Sequence, residues 1–120
     1  MNEFSQFDMA LPHTWTGAID INLKWLVSAS GGANAVKWTV QTACSADAAT
    51  YDTAFNAAQT ITTNVAANNI QTVSSQATVT VTGCAVDNVM NFKIGRDTSD
   101  TFTGTARLIG AQVVLRHTGK

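Results

Sequence analysis

The fold this sequence predicts is an all-β domain, an antiparallel β-sandwich of seven or eight strands with one long ordered loop, and three observations predict it. Apolar residues at odd positions from Ile19 to Val27 alternate with Asp20, Asn22 and Lys24, which describes a strand with one dry and one wet face. The same alternation returns downstream at short intervals, with turn-forming residues between the runs. Threonine, a residue at home in strands, occurs 18 times in 120 residues, and nowhere do helical and strand patterns alternate as a parallel sheet would require. Residues 1–120 suffice for one domain with one core and leave no room for a second.

In chain order, Phe4 to Ala10 reads as a short edge strand, because Pro12 ends it and cannot donate to a ladder. Leu11 to Gly17 is a turn in which Pro12 fixes one dihedral and Gly17 supplies a positive one. Ala18 to Ser28 is the second strand. The small residues Ser30-Gly31-Gly32-Ala33-Asn34 then join it, as a hairpin, to Ala35–Ala43, with Val36, Trp38 and Val40 on the dry side. That pairing predicts Trp25 and Trp38 in the core as neighbours across the hairpin.

From Ser45 to Gln59 the period changes, and the expectation is an ordered loop with about one helical turn, carrying Tyr51 and Phe55 on one face. Thr60 to Val65 is a short strand and Ala66 to Asn69 a turn. Thr72 to Thr82 is a longer strand with Ala77, Val79 and Val81 inward and Thr78, Thr80 and Thr82 on a wet face. Gly83 to Asn88 turns the chain into Val89–Arg96, with Met90, Phe92 and Ile94 inward. Thr105 to His117 closes the domain, and its alternation slips at Gly110, which signals a bulge or the close approach of another backbone.

Composition removes several function classes. Net charge is −1 and the seven Lys and Arg are spread singly, so no basic stripe offers itself to nucleic acid. No apolar run reaches the roughly 18 to 20 residues that span a bilayer, and the N-terminus lacks the pattern of a signal peptide. Charged residues make up only 12%, whereas Ser, Thr, Asn and Gln number 40, so solubility rests on neutral polar groups. The expectation is a soluble chain without membrane insertion, either whole or a terminal domain of a longer protein.

Cys44 and Cys84 lie forty positions apart with no CxxC spacing, and with His13 and His117 they are too scattered to suggest zinc. Two lone cysteines of this kind pack as small hydrophobes or form a disulfide; with Cys44 in a strand-like segment, the buried-thiol reading leads. Neither histidine sits in a nucleophile motif, so no hydrolytic triad is indicated. The pairs Asp47/Asp52 and Asp97/Asp100 are the candidates for glycoside-cutting carboxylates, and Asp97-Thr98-Ser99-Asp100 for a calcium loop. Ordinary loop aspartates explain them better, with Arg96 pairing to one of them and tying the loop to the sheet. No catalytic residue, metal or cofactor is assigned. For ligand binding the candidates are Trp15, Tyr51 and Phe102, aromatics in predicted loops on which flat sugar faces stack, although for Trp15 covering one end of the core is the better reading.

The ordered set of Phe7, Leu11-Pro12, Trp15, Gly17, Trp25, Ala35-Val36-Lys37-Trp38, Ala57 to Thr62, Phe92 to Asp97 and Ala106 to Gly110 resembles a family of small β-sandwich proteins and terminal domains of tailed bacteriophages and prophages. Members are labelled virion structural proteins or parts of tail fibres. The resemblance implies a jelly roll that assembles, as a trimer by preference, at a fibre tip or on a capsid, and no site residues transfer with it. The functional expectation is therefore a non-enzymatic virion structural or adhesion domain, in the virion and extracellular after release. Its expected partners are copies of itself, other virion proteins and cell-surface carbohydrate. The alternative is a carbohydrate-binding module of a secreted or phage-borne glycoside hydrolase. A lectin-like or metal-dependent jelly-roll enzyme ranks third, since the histidine clusters of such sites are missing.

Overall fold

The computed structural model describes residues 4–27, 35–47, 54–64, 72–74, 76–97, 99–100 and 106–117. Eight strands run through them: β1 Phe4–Ala10, β2 Trp15–Val27, β3 Ala35–Ser45, β4 Gln59–Asn64, β5 Thr72–Val73, β6 Ala77–Thr78, β7 Val89–Asp97 and β8 Ala106–His117. They form two antiparallel sheets packed face to face, a β-sandwich with no helix among the described residues. The first sheet has the order β1-β7-β3-β4. In the second, β8 holds one edge of β2 while β5 and β6 share the other.

The alternation read from sequence sorts the side chains as expected. Ile19, Ile21, Leu23, Trp25 and Val27 from β2 meet Val36, Trp38 and Val40 from β3 and Met90, Phe92 and Ile94 from β7, all buried. Burying each of these larger side chains contributes about 1.5–3 kcal/mol before the entropy of ordering is set against it. Phe7 of β1 stacks on Phe92 with ring centroids 4.7 Å apart, which anchors the edge strand to the core.

The hairpin expected between β2 and β3 does not form. Both edges of β2 are occupied by β8 and by β5 and β6, and both edges of β3 by β7 and β4, so β2 and β3 lie in opposite sheets. Trp25 and Trp38 are indeed core neighbours, but they meet across the sandwich, edge to face, with centroids 5.9 Å apart. The Leu11–Gly17 turn likewise carries the chain between sheets; Trp15 N–H donates to the Pro12 carbonyl at 3.0 Å, and β2 already begins at Trp15. Gly17 takes the left-handed conformation, φ +68°, where the β2–β8 register shifts between Trp15 and Ile19.

Two other expectations need revision. The strand expected over Thr72–Thr82 is two short pieces, β5 and β6, because the chain leaves the β2 edge and crosses toward the other sheet. Ser74 holds the gap, its Oγ accepting from Leu23 N–H at 2.8 Å while its own N–H donates to the Leu23 carbonyl. The buried-thiol reading is overturned: Cys44 and Cys84 form a disulfide, because the end of β3 and the turn after Val81 bring their Cα atoms to 5.2 Å. Residues 54–58 have no regular secondary structure, and Asn56 N–H donates to the Thr42 carbonyl beside β3. The expected helical turn around Tyr51, the Ser30–Asn34 connection and the Ala66–Asn69 turn lie outside the described residues.

The bulge expected at Gly110 is present: Lys24 pairs with Gly110 and Trp25 with Leu108, leaving Ile109 unmatched and 47% exposed. Arg96 also behaves as expected, donating from Nε and Nη2 to Asp100 at 3.0 and 2.9 Å. The Asp100 side chain is only 1% exposed, and its carboxylate accepts from Lys37 N–H as well. Replacing Asp100 by Ala removes the buried acceptor of two guanidinium bonds and of the Lys37 N–H bond, and a loss of about 2 kcal/mol in unfolding free energy is expected. Urea titration followed by far-UV circular dichroism reads it, and a change within the error of the wild-type curve refutes it.

Candidate functional site

The two long sides of the sandwich are built differently. On one side β4 ends the first sheet and β5 and β6 end the second, and the segment 76–82 bonds the two together. Gln59 acts there as a substitute strand: its Nε2 donates to the Thr78 carbonyl at 2.9 Å and its Oε1 accepts from Thr80 N–H at 2.8 Å. Thr42 Oγ1 donates to the Thr80 carbonyl, and Asn56 Nδ2 to that of Thr82. The disulfide closes the end of this seam. Thr78 and Thr80, read from sequence as a wet face, are thus engaged within the chain.

Asp20 belongs to the same seam. Its place between Ile19 and Ile21 suggests exposure, yet it is 5% exposed, because Gln76 Nε2 and Thr78 Oγ1 each donate to it at 2.7 Å and Arg116 Nη2 lies 3.7 Å away. The hydrogen bonds from Thr78 and Gln76, followed by the nearby Arg116 charge, hold its carboxyl below the ordinary carboxylate value. A depressed carboxylate stabilises the folded state above its unfolded pKa, and that contribution fades as pH falls through the folded value. Thermal midpoints of wild type and Asp20→Asn are therefore expected to differ most at neutral pH and to converge in acid. A gap that persists unchanged below about pH 3 rejects this assignment.

Among the described residues the opposite side is open. Here β1 ends the first sheet and β8 ends the second, and among the described residues β1 pairs with β7 alone and β8 with β2 alone. Between them lies a groove of about 340 Å³ lined by Ser5 and Phe7 of β1, Ile94 of β7 and Leu108–Ala111 of β8. Its side chains are apolar apart from Ser5, although polar atoms form a good part of its surface.

A second feature lies on the outer face of the first sheet. Lys93 Nζ sits 4.4 Å from the Phe4 ring centroid and 5.7 Å from that of Phe55, within cation–π range of both. Phe4 is 57% exposed, unusual for a ring of that size, and Phe55 is half-buried. No periodicity singles these residues out, because the two rings lie in segments that meet only when β1, β7 and the 54–58 stretch lie side by side.

Of the aromatics expected to bind ligand, only Trp15 lies among the described residues. Trp15 is 8% exposed and part of the core, covering one end of it, so its ring is no platform for a sugar; Tyr51 and Phe102 lie outside the described residues. Asp52 also lies outside them. Asp97 accepts from Ser99 N–H, a bond that holds its carboxyl below the usual range, and Asp100 is committed to Arg96 and Lys37. Among the described residues no three His, Cys, Asp or Glu gather in a way that could hold a metal ion. His13 Nδ1 pairs with Asp87 Oδ2 at 2.9 Å on the surface, and that hydrogen bond and the Asp87 charge raise its pKa. Both sulfurs are bonded to each other, so neither cysteine is a thiol nucleophile. No family model, curated protein or solved structure matches this chain.

Proposed function

We propose that this chain is a non-enzymatic structural or adhesion domain of a bacteriophage virion, at a tail fibre, a tail or the capsid surface, that associates with copies of itself and with other virion proteins. The observation that carries this reading is the contrast between the two sides of the sandwich: one is bonded shut and clamped by a disulfide, while the other, among the described residues, leaves two strand edges beside a groove. Exposed edges invite pairing with another chain, and monomeric proteins blunt them. A disulfide persists in oxidising surroundings, such as those a particle meets after release. Resemblance to trimeric fibre and capsid domains of jelly-roll type sets the preferred stoichiometry at three. Native mass measurement of the isolated chain should find oligomers at micromolar concentration, and proteomic analysis of purified particles should find several copies per particle. A chain that stays monomeric and is absent from particles sinks the proposal.

One observation favours the carbohydrate-binding alternative, and it is the pair of rings flanking Lys93 rather than the aromatics expected from sequence. Ring faces stack on sugars, and Gln6, opposite Lys93, and Asn91, opposite Asp8, share that face. Glycan-array binding that is lost on Phe4→Ala supports a module or an adhesion role. An array without hits removes it.

A further inference from the structure

Gly110 sits at the bulge of β8, where glycine is common, but nothing among the described residues requires a glycine there. Inside a strand, glycine gives up side-chain packing and backbone rigidity, and it is kept where a dihedral or a close approach demands it. Neither demand comes from within the fold. Gly17 and Gly83 have positive φ and Gly110 does not, and a Cβ built on Gly110 meets nothing within 4 Å. It lies instead in the wall of the open groove, beside the bulged and half-exposed Ile109.

The charges on the two strands beside the groove differ in sign. Asp8 is the ionisable residue of β1, whereas β8 carries Arg107, Arg116 and His117; Asp8, Arg107 and Arg116 are exposed, and Arg116 also lies 3.7 Å from Asp20, which leaves Arg107 as the cation not engaged with Asp20. Pairing β8 with the β8 of another copy sets guanidinium against guanidinium, and β1 with β1 sets carboxylate against carboxylate. Pairing β1 with β8 sets opposite signs together, and like-charge contact is what suppresses wrong registers.

We propose that the open side is a self-association surface on which β1 of one copy pairs with β8 of the next, the incoming chain passing close over Gly110. This inference rests on the reading that the chain self-associates, and it names the surface that does so. The joint continues the sheets from copy to copy, pairs the outer edges of β1 and β8 that no other described strand pairs, and covers the groove between them. Because β1 and β8 are different strands, the contact is compatible with a closed ring such as a trimer as well as with a two-fold pair.

The test is sedimentation velocity over a concentration series on wild type, Gly110→Gln, Asp8→Arg, Arg107→Asp and the double reversal Asp8→Arg/Arg107→Asp. Gly110→Gln is expected to raise the dissociation constant about tenfold or more while leaving the far-UV spectrum unchanged, since the added side chain meets open space in the single copy. Each single reversal should weaken association several-fold, and the double reversal should recover it. If wild type associates and none of these variants shifts the constant, the β1–β8 joint is overturned while self-association stands. If wild type never associates, both fall. Should Gly110→Gln misfold, the charge series alone decides: failure of the double reversal to recover what the single reversals lost overturns the joint.

Discussion

Truncating Trp25 to Ala is expected to remove about 3–5 kcal/mol of unfolding free energy, a large share of the roughly 5–15 kcal/mol that holds a domain of this size. The indole is fully buried and lies between the sheets, edge to face with Trp38, so its loss opens a cavity that neither wall can follow. Geometry of this kind adds about 0.5–1.5 kcal/mol beyond area burial, and a double-mutant cycle with Trp38→Ala should return a coupling of that size. Trp25→Phe should cost clearly less than Trp25→Ala. The ring is kept in part, and the N–H that disappears has no hydrogen-bond partner among the described residues. Guanidinium titration followed by far-UV circular dichroism measures all of these variants. Near-equal losses for the Phe and Ala variants would contradict the packing account.

Breaking the Cys44–Cys84 bridge is the second large effect expected. The two cysteines are separated by 40 positions, and cross-linking a loop of that length removes chain entropy from the unfolded state worth up to about 4 kcal/mol; about 2–4 kcal/mol is the expected loss for Cys44→Ala/Cys84→Ala. Reduced wild type should unfold at nearly the same denaturant concentration as the double variant, and the oxidised protein well above both. The loss should be felt first along the seam that the bridge closes, as faster hydrogen exchange at Val79 and Thr80, whose amides donate to Ile19 and Gln59. Two reactive thiols in the folded, unreduced protein would refute the assignment.

The seam also explains why this bond was not legible in the sequence. Cys44 closes a strand that reads correctly as a strand, and Cys84 follows a glycine in a turn. Nothing local brings them near each other; only the crossing of 76–82 toward β3 and β4 does so. Asp20 escapes the sequence for the same reason: its wet-face position is correct, but Gln76 and Thr78 arrive from one distant segment and Arg116 from another to cover it. Arg96 with Asp100 was legible because four residues and one tight loop suffice to join them. The candidate surfaces divide likewise. Gly110 stands out in the sequence as a break in alternation, whereas the groove it borders needs β1 and β8 on the same side, and the Phe4–Lys93–Phe55 platform needs three segments side by side.

What the sequence determined by itself is therefore the set of strands and the face each turns inward: Ile19 through Val27, Val36 through Val40, Met90 through Ile94, with the bulge at Gly110 and the left-handed turn at Gly17. A two-residue period is a property of the chain at each point, and the preference of apolar side chains for a dry face is enough to read it. Tertiary structure alone decided which sheet each strand joins, that β2 and β3 arch across the core instead of forming a hairpin, and which side of the sandwich stays open. Alternation says that a face must be covered but not by which neighbour. Because the entropy of closing a loop grows only slowly with its length, a distant partner such as β8 competes on nearly equal terms with the next strand in sequence, and the packing of the whole core selects between them.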